Sequence, residues 1–155
     1  METQIDLVAF LVLALVGFMS TPNLRDLIGI PFLMGGRDPK IGLDCWGLSQ
    51  EIMKRYDIVV PDIMETCYDV VKINSHVKDQ KSSDNWEEIL EPEDGCVVLM
   101  AIDEKMPNVV QHIAVYIGDG KIIQTLEKVN SFVVKINDSY WRKRIKGFYK
   151  WKNGT

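Results

Sequence analysis

His112-Ile113-Ala114-Val115-Tyr116-Ile117-Gly118-Asp119-Gly120-Lys121-Ile122-Ile123-Gln124 reads as two β-strands folded back on each other. The first run alternates, Gly118-Asp119-Gly120 supplies a tight turn, and Lys121 to Leu126 returns as the partner strand. A three-residue turn pairs Ile117 with Lys121 and Ala114 with Gln124. His112 and Gln124 then lie diagonally on one face, within reach of long side chains. A two-residue turn would instead set Gln124 opposite Val115, on the other face. The longer turn is expected, with a bulge at Gly120, and the small Ala114 on the shared face would let a helix approach closely.

Further strand patterns lie on both sides of this hairpin. Asp94-Gly95 turns into Cys96 to Ala101, and Phe132 to Ile136 and Lys146 to Trp151 follow it. The N-terminal half is helical. Asn23 to Ile30 carries Leu24, Leu27 and Ile28 on one face and ends at Pro31. Cys45 to Tyr56 places Leu48, Ile52 and Tyr56 on one stripe with Met53 beside it, and Pro61 forbids its continuation. Asp62 to Ser75 is expected to include another short helix, and His76 to Asn85 has the composition of an exposed loop. Helices first and antiparallel strands after them make an α+β fold, a helix packed on a sheet of about five strands.

The chemistry gathers at the second helix. Gly35-Gly36-Arg37-Asp38-Pro39-Lys40-Ile41-Gly42-Leu43-Asp44 is a glycine-rich loop that delivers Cys45 to a helix start. Unpaired amides and the helix dipole there favour a negative sulfur, and the thiolate is the nucleophilic form. Taken alone, such a cysteine is more often a buried structural thiol, and a lone histidine at a strand start is usually a core residue. The loop, the helix start and the hairpin register together make a Cys45/His112 pair the stronger reading. Asp44 reads as a cap of the helix or an anchor for loop amides. Gly35 and Gly36 are expected to supply backbone conformations closed to other residues.

With 155 residues the chain suffices for one domain with a core. Its net charge of −4 gives no nucleic-acid footprint. A basic cluster, Arg142, Lys143, Arg144, Lys146, Lys150 and Lys152, is best read as a solvated edge strand, with contact to an anionic polymer as the alternative. Cys45, Cys67 and Cys96 match no zinc spacing and no disulfide framework, and Cys96 reads as an inert core thiol. A Cys67–Cys96 bridge stays open. Leu7 to Met19 is apolar or glycine throughout, but Glu2 and Asp6 flank it without Lys or Arg. Residues 1–18 therefore form a segment apart from a domain at 19–155: a helix packed on protein, a membrane anchor or a partner contact. The acidic flanks favour protein.

Three motifs in order resemble the NlpC-type cell-wall cysteine peptidases: Ile30-Pro31-Phe32-Leu33-Met34-Gly35-Gly36 through Asp44-Cys45-Trp46-Gly47-Leu48, then Pro92-Glu93-Asp94-Gly95-Cys96-Val97-Val98, then His112 to Gln124. The resemblance spans about Asn23 to Trp151. It implies a papain-like fold and hydrolysis of an amide bond in peptidoglycan stem peptides, the D-Glu to diamino-acid bond being the usual target, with no metal and no cofactor. Cys45 would be the nucleophile, His112 its base, Gln124 the residue that orients the imidazole, and the Cys45 amide an oxyanion donor. Phe32, Asp44 and Trp46 would border the substrate. Phe32 stands where many members have tyrosine, and Trp46 where serine is usual. The long Gly-Gly-Arg-Asp-Pro loop and Trp46 are similar to a phage tail-assembly subgroup. That similarity implies tail or envelope proteins as partners, and a virion tail or the bacterial envelope as location. A non-catalytic assembly module is the rival reading, and an amidase or transpeptidase using the same residues is a third.

Overall fold

The structure, a computed structural model, describes residues 21–62 and 70–152. The apolar segment 1–18 and Cys67 lie outside the described residues. A 3-10 turn at Arg25–Leu27 precedes two short strands, β1 (Arg37–Asp38) and β2 (Gly42–Leu43), and helix α1 (Cys45–Arg55). Helix α2 (Val70–Lys81) follows, then β3 (Trp86–Ile89), β4 (Val97–Met100), β5 (His112–Tyr116), β6 (Lys121–Leu126) and β7 (Val129–Lys135). A short helix α3 (Ser139–Arg142) and β8 (Ile145–Trp151) complete the described chain.

Six strands form one antiparallel sheet in the order β3-β8-β4-β5-β6-β7, while β1 and β2 pair separately. Alternation along the strands gives the sheet two apolar faces. Val97, Leu99, Ile113, Val115 and Ile123 pack with Trp46, Leu48, Ile52 and Met53 of α1. Val98, Met100, Ala114 and Ile122 form a second cluster with Trp141 and Phe148. The sheet thus carries α1 on one side and the α3 region on the other, the α+β layout expected from the element order.

The hairpin register is the longer-turn one. Val115 pairs with Ile123 and Tyr116 with Ile122, and Ile117 N–H donates to the Lys121 carbonyl at 2.9 Å. That alignment sets Ala114 level with Gln124. Gly118, Asp119 and Gly120 all take positive φ (90°, 51° and 68°), and Lys121 N–H donates to the Gly118 carbonyl at 2.9 Å to close the turn.

Several expectations are corrected. Asn23 to Ile30 is a single 3-10 turn rather than a helix. Leu24, Leu27 and Ile30 are buried at a spacing of three, which a 3-10 turn satisfies as well as a helix does, and Gly29 at φ 84° leaves the helical region. His76 to Asn85 is no loop: α2 runs to Lys81, with Val77 buried and His76, Lys78 and Asp79 exposed, and β3 begins at Trp86. β3 is the sixth strand. β8 is interior, between β3 and β4, so its lysines do not guard an edge. Arg144, inside the basic cluster, is buried, donates to Glu104 at 2.7 Å and stacks on the Tyr140 ring at 3.6 Å. Ala114 faces the second cluster and is not what admits α1. Helix α1, by contrast, runs as expected, from Cys45 to Arg55 with Tyr56 as its C-cap. Ile58 N–H donates to the Met53 carbonyl and Asp57 N–H to that of Lys54, both at 3.0 Å, with Asp57 at φ 60°.

Candidate active site

Helix α1 begins where it does because Asp44 caps it. The Asp44 backbone is extended and its Oδ1 accepts from Gly47 N–H at 2.7 Å. The same oxygen accepts from Arg37 Nη1 at 2.8 Å, and Oδ2 accepts from Gly35 N–H at 3.1 Å. Asp44 is therefore both cap and loop anchor, and at 0% exposure its carboxylate is turned inward rather than toward substrate. Gly35 has the positive φ expected of it (70°), but Gly36 is small for a different reason. A Cβ on Gly36 would meet the Gly42 carbonyl oxygen, and one on Gly47 the Gly36 carbonyl oxygen. The first turn of α1 thus rests directly on loop backbone.

Cys45, Ser49, Ile52 and Tyr56 form one helical stripe, and the first three are buried. Cys45 and Ser49 are small, so α1 lies close on β5 and β6; Ser49 Oγ donates to the Cys45 carbonyl at 2.7 Å. Both ends of α1 are placed. Past its C-terminus, Tyr56 and Ile58 meet Gly95 ahead of β4, beside the end of β5. Ahead of its N-terminus, Leu43 N–H donates to the Pro31 carbonyl and Ile30 N–H to Ser131 Oγ at 2.8 Å, next to the Phe132–Gln124 pair. Cys45 accordingly starts α1 at the end of the sheet where β5 begins with His112.

There His112 and Gln124 meet. His112 Nε2–H donates to Gln124 Oε1 at 2.9 Å, with His112 only 3% and Gln124 1% exposed. Burial pushes the imidazole down to about 4, against the opposing pull of the Gln124 bond, so the ring is neutral at pH 7. With Nε2 carrying the proton, Nδ1 is the basic nitrogen. Gln124 Nε2 is buried with no partner among the described residues. Leaving such a donor unpaired costs roughly 1–3 kcal/mol.

Phe32 is half-buried and bridges Leu43 on the strand-like run into α1. Trp46 is 1% exposed and lies in the core with Leu99 and Ile113, where it lines an apolar pocket with Val77, Trp86 and Tyr149. Cys96 is a free core thiol pushed up to about 12 by burial, in keeping with an inert role. Sequence reading gave Arg37 no role. Its signal was a cation inside a glycine-proline loop seven residues before a buried Asp44. Burial works against its charge, but hydrogen bonds to Asp62 and Asp44 hold its pKa above the ordinary arginine value.

Residues 29–150 match the NlpC/P60 family. The chain is 28% identical over 118 residues to gamma-DL-glutamyl hydrolase of Bacillus subtilis strain 168, covering 76% of this chain and 25% of the relative. It is 26% identical over 126 residues to murein DD-endopeptidase MepH of Escherichia coli K12, covering 81% of this chain and 42% of the relative. The chain thus spans less than half the length of either. Among solved structures, an NLP/P60 family protein from Staphylococcus aureus Mu50 superposes with a TM-score of 0.56 at 21% identity, over 83% of this chain and 38% of that one. The fold is papain-like, and the chain belongs to the NlpC/P60 family.

Proposed function

We propose that this chain is a cysteine peptidase that hydrolyses an amide bond in the stem peptides of bacterial peptidoglycan. The observation that carries the reading is the buried His112–Gln124 bond at the sheet end where Cys45 opens α1. In this reading Nδ1 of His112 takes the Cys45 proton and the thiolate attacks the scissile carbonyl carbon. The first-turn amide of Cys45 donates to the resulting oxyanion. Collapse expels the amine, which leaves with the proton held on the imidazolium. Water, deprotonated by His112, then cleaves the thioester and regenerates the thiol. Strand alternation gives His112 the side of Ala114, opposite α1. This reading therefore requires Cys45 and His112 to meet around the rim of the sheet, between the first residue of α1 and the first of β5.

The two curated relatives are named for different bonds, so the proposal is a class of wall peptide rather than one linkage. A phage tail or the bacterial envelope is the proposed setting, on the likeness of the Gly35–Pro39 loop. Incubating purified peptidoglycan with the protein and analysing the soluble fragments by mass spectrometry tests the reaction. Fragments that gain one water and a new amine support it. Glycan cleavage alone refutes it. The second reading, a non-catalytic docking module, is favoured by the burial of Cys45 (5% exposed) and His112. It predicts that the folded protein binds peptidoglycan or a partner and releases nothing.

A further inference from the structure

We infer that Arg37 is a positioning residue that neutralises the Asp44 carboxylate and thereby allows the start of α1 to hold Cys45 as a thiolate; this rests on the reading of Cys45 as nucleophile. Asp44 is needed to start the helix, because its Oδ1 accepts from Gly47 N–H. An anion in the residue before the thiol also opposes ionisation of the sulfur, against the helix-start effect that favours it. Arg37 resolves the conflict. Its Nη1 donates to the same Oδ1 at 2.8 Å and to the Gly36 carbonyl at 2.9 Å, so the cation is fixed to the loop that α1 rests on. Its Nε donates to Asp62 at 2.7 Å from the other side. The planar fork reaches both carboxylates at once, which a lysine ammonium does not.

Among the described residues, the other charged groups on elements packed against α1 do not do this. Asp26 of the 3-10 turn is bonded to Arg55 at the far end of the helix, and Arg25 stands beside Asp26. Lys121 of β6 starts at the turn end of the hairpin. Asp38 of β1 is exposed and accepts from Lys40 N–H. His112 of β5 is held to Gln124.

The test is the rate of iodoacetamide labelling against pH, followed on the peptide that bears Cys45 in full-length protein. Wild type should show an inflection below the free-thiol value of about 8.5. Arg37→Met should raise that inflection by about one pH unit, and Arg37→Lys should restore part of it. In Arg37→Met/Asp44→Asn both charges are gone and asparagine keeps the cap, so the inflection should return to within about half a unit of wild type. A double variant that stays a full unit high overturns the inference, whether or not the single variant folds. So does an Arg37→Met curve identical to wild type. A wild-type inflection at or above about 8.5 would instead count against Cys45 as the nucleophile.

Discussion

The Nε2 atom of His112 and the Oε1 atom of Gln124 stand 2.9 Å apart in the interior, twelve residues apart in sequence and diagonal across one hairpin. The bond fixes which nitrogen carries the proton. It leaves Nδ1 as the basic nitrogen of the ring.

Gln124→Met should therefore separate catalysis from stability. Losing the amide removes the acceptor that sets the tautomer, and kcat should fall roughly 10²- to 10⁴-fold with little change in KM. Stability should move by less than about 1 kcal/mol, because the orphan Gln124 Nε2 is exchanged for an orphan His112 N–H. Steady-state kinetics beside urea unfolding checks both. Unchanged kcat would remove Gln124 from the mechanism.

The buried imidazole should make the fold acid-sensitive. Its pKa is about 4 in the folded chain against an ordinary 6.5, so between these values the unfolded state binds more protons. Stability from this group is complete above pH 6.5 and falls as pH drops toward 4, by about 3 kcal/mol in all. His112→Gln should flatten that part of the pH profile of urea midpoints. An equal slope in wild type and variant would contradict the assignment.

Two glycines, Gly47 in α1 and Gly120 in the β5–β6 turn, should rank by space rather than by φ. Gly47→Ala drives a methyl into the Gly36 carbonyl and should destabilise by roughly 3 kcal/mol, despite alanine's helix preference. Gly120→Ala has open space and only left-handed strain, about 1 kcal/mol. Thermal unfolding of the two variants gives the order, and the reverse order would mean that the Gly36 loop under α1 yields.

Trp46→Ala should unfold the domain rather than widen a groove. The side chain is 1% exposed among Leu99, Ile113 and Trp86, and such truncations remove roughly 3–5 kcal/mol. A well-folded variant with altered substrate preference would restore Trp46 to the substrate face.

What the sequence made legible followed from strong local signals. The alternation of Ile113, Val115 and Ile117, with Gly118-Asp119-Gly120 behind it, is a local pattern, and it carried the register and the His112–Gln124 contact. The glycine-rich loop ending in Asp44, followed by an apolar stripe, marked the start of α1. Helix α2 was read in part as loop because its last turn, Lys78 to Lys81, is polar, and Val77 is the buried residue among those described in the helix. β3 was missed because its alternation is two exposed glutamates behind Trp86, and its pairing with β8 is decided by a partner about sixty residues away. β8 looked like an edge because its lysines alternate outward, yet Lys150 lies 3.5 Å from Glu87 of β3 and from Glu93. Arg37 gave no signal because its meaning depends on the burial of Asp44, which only the folded loop creates.

The account stands most directly on Cys45→Ala. Purified peptidoglycan incubated with wild type should release stem-peptide fragments detectable by mass spectrometry. The folded Cys45→Ala protein should release none above background. Undiminished release by that variant would contradict the account at its centre.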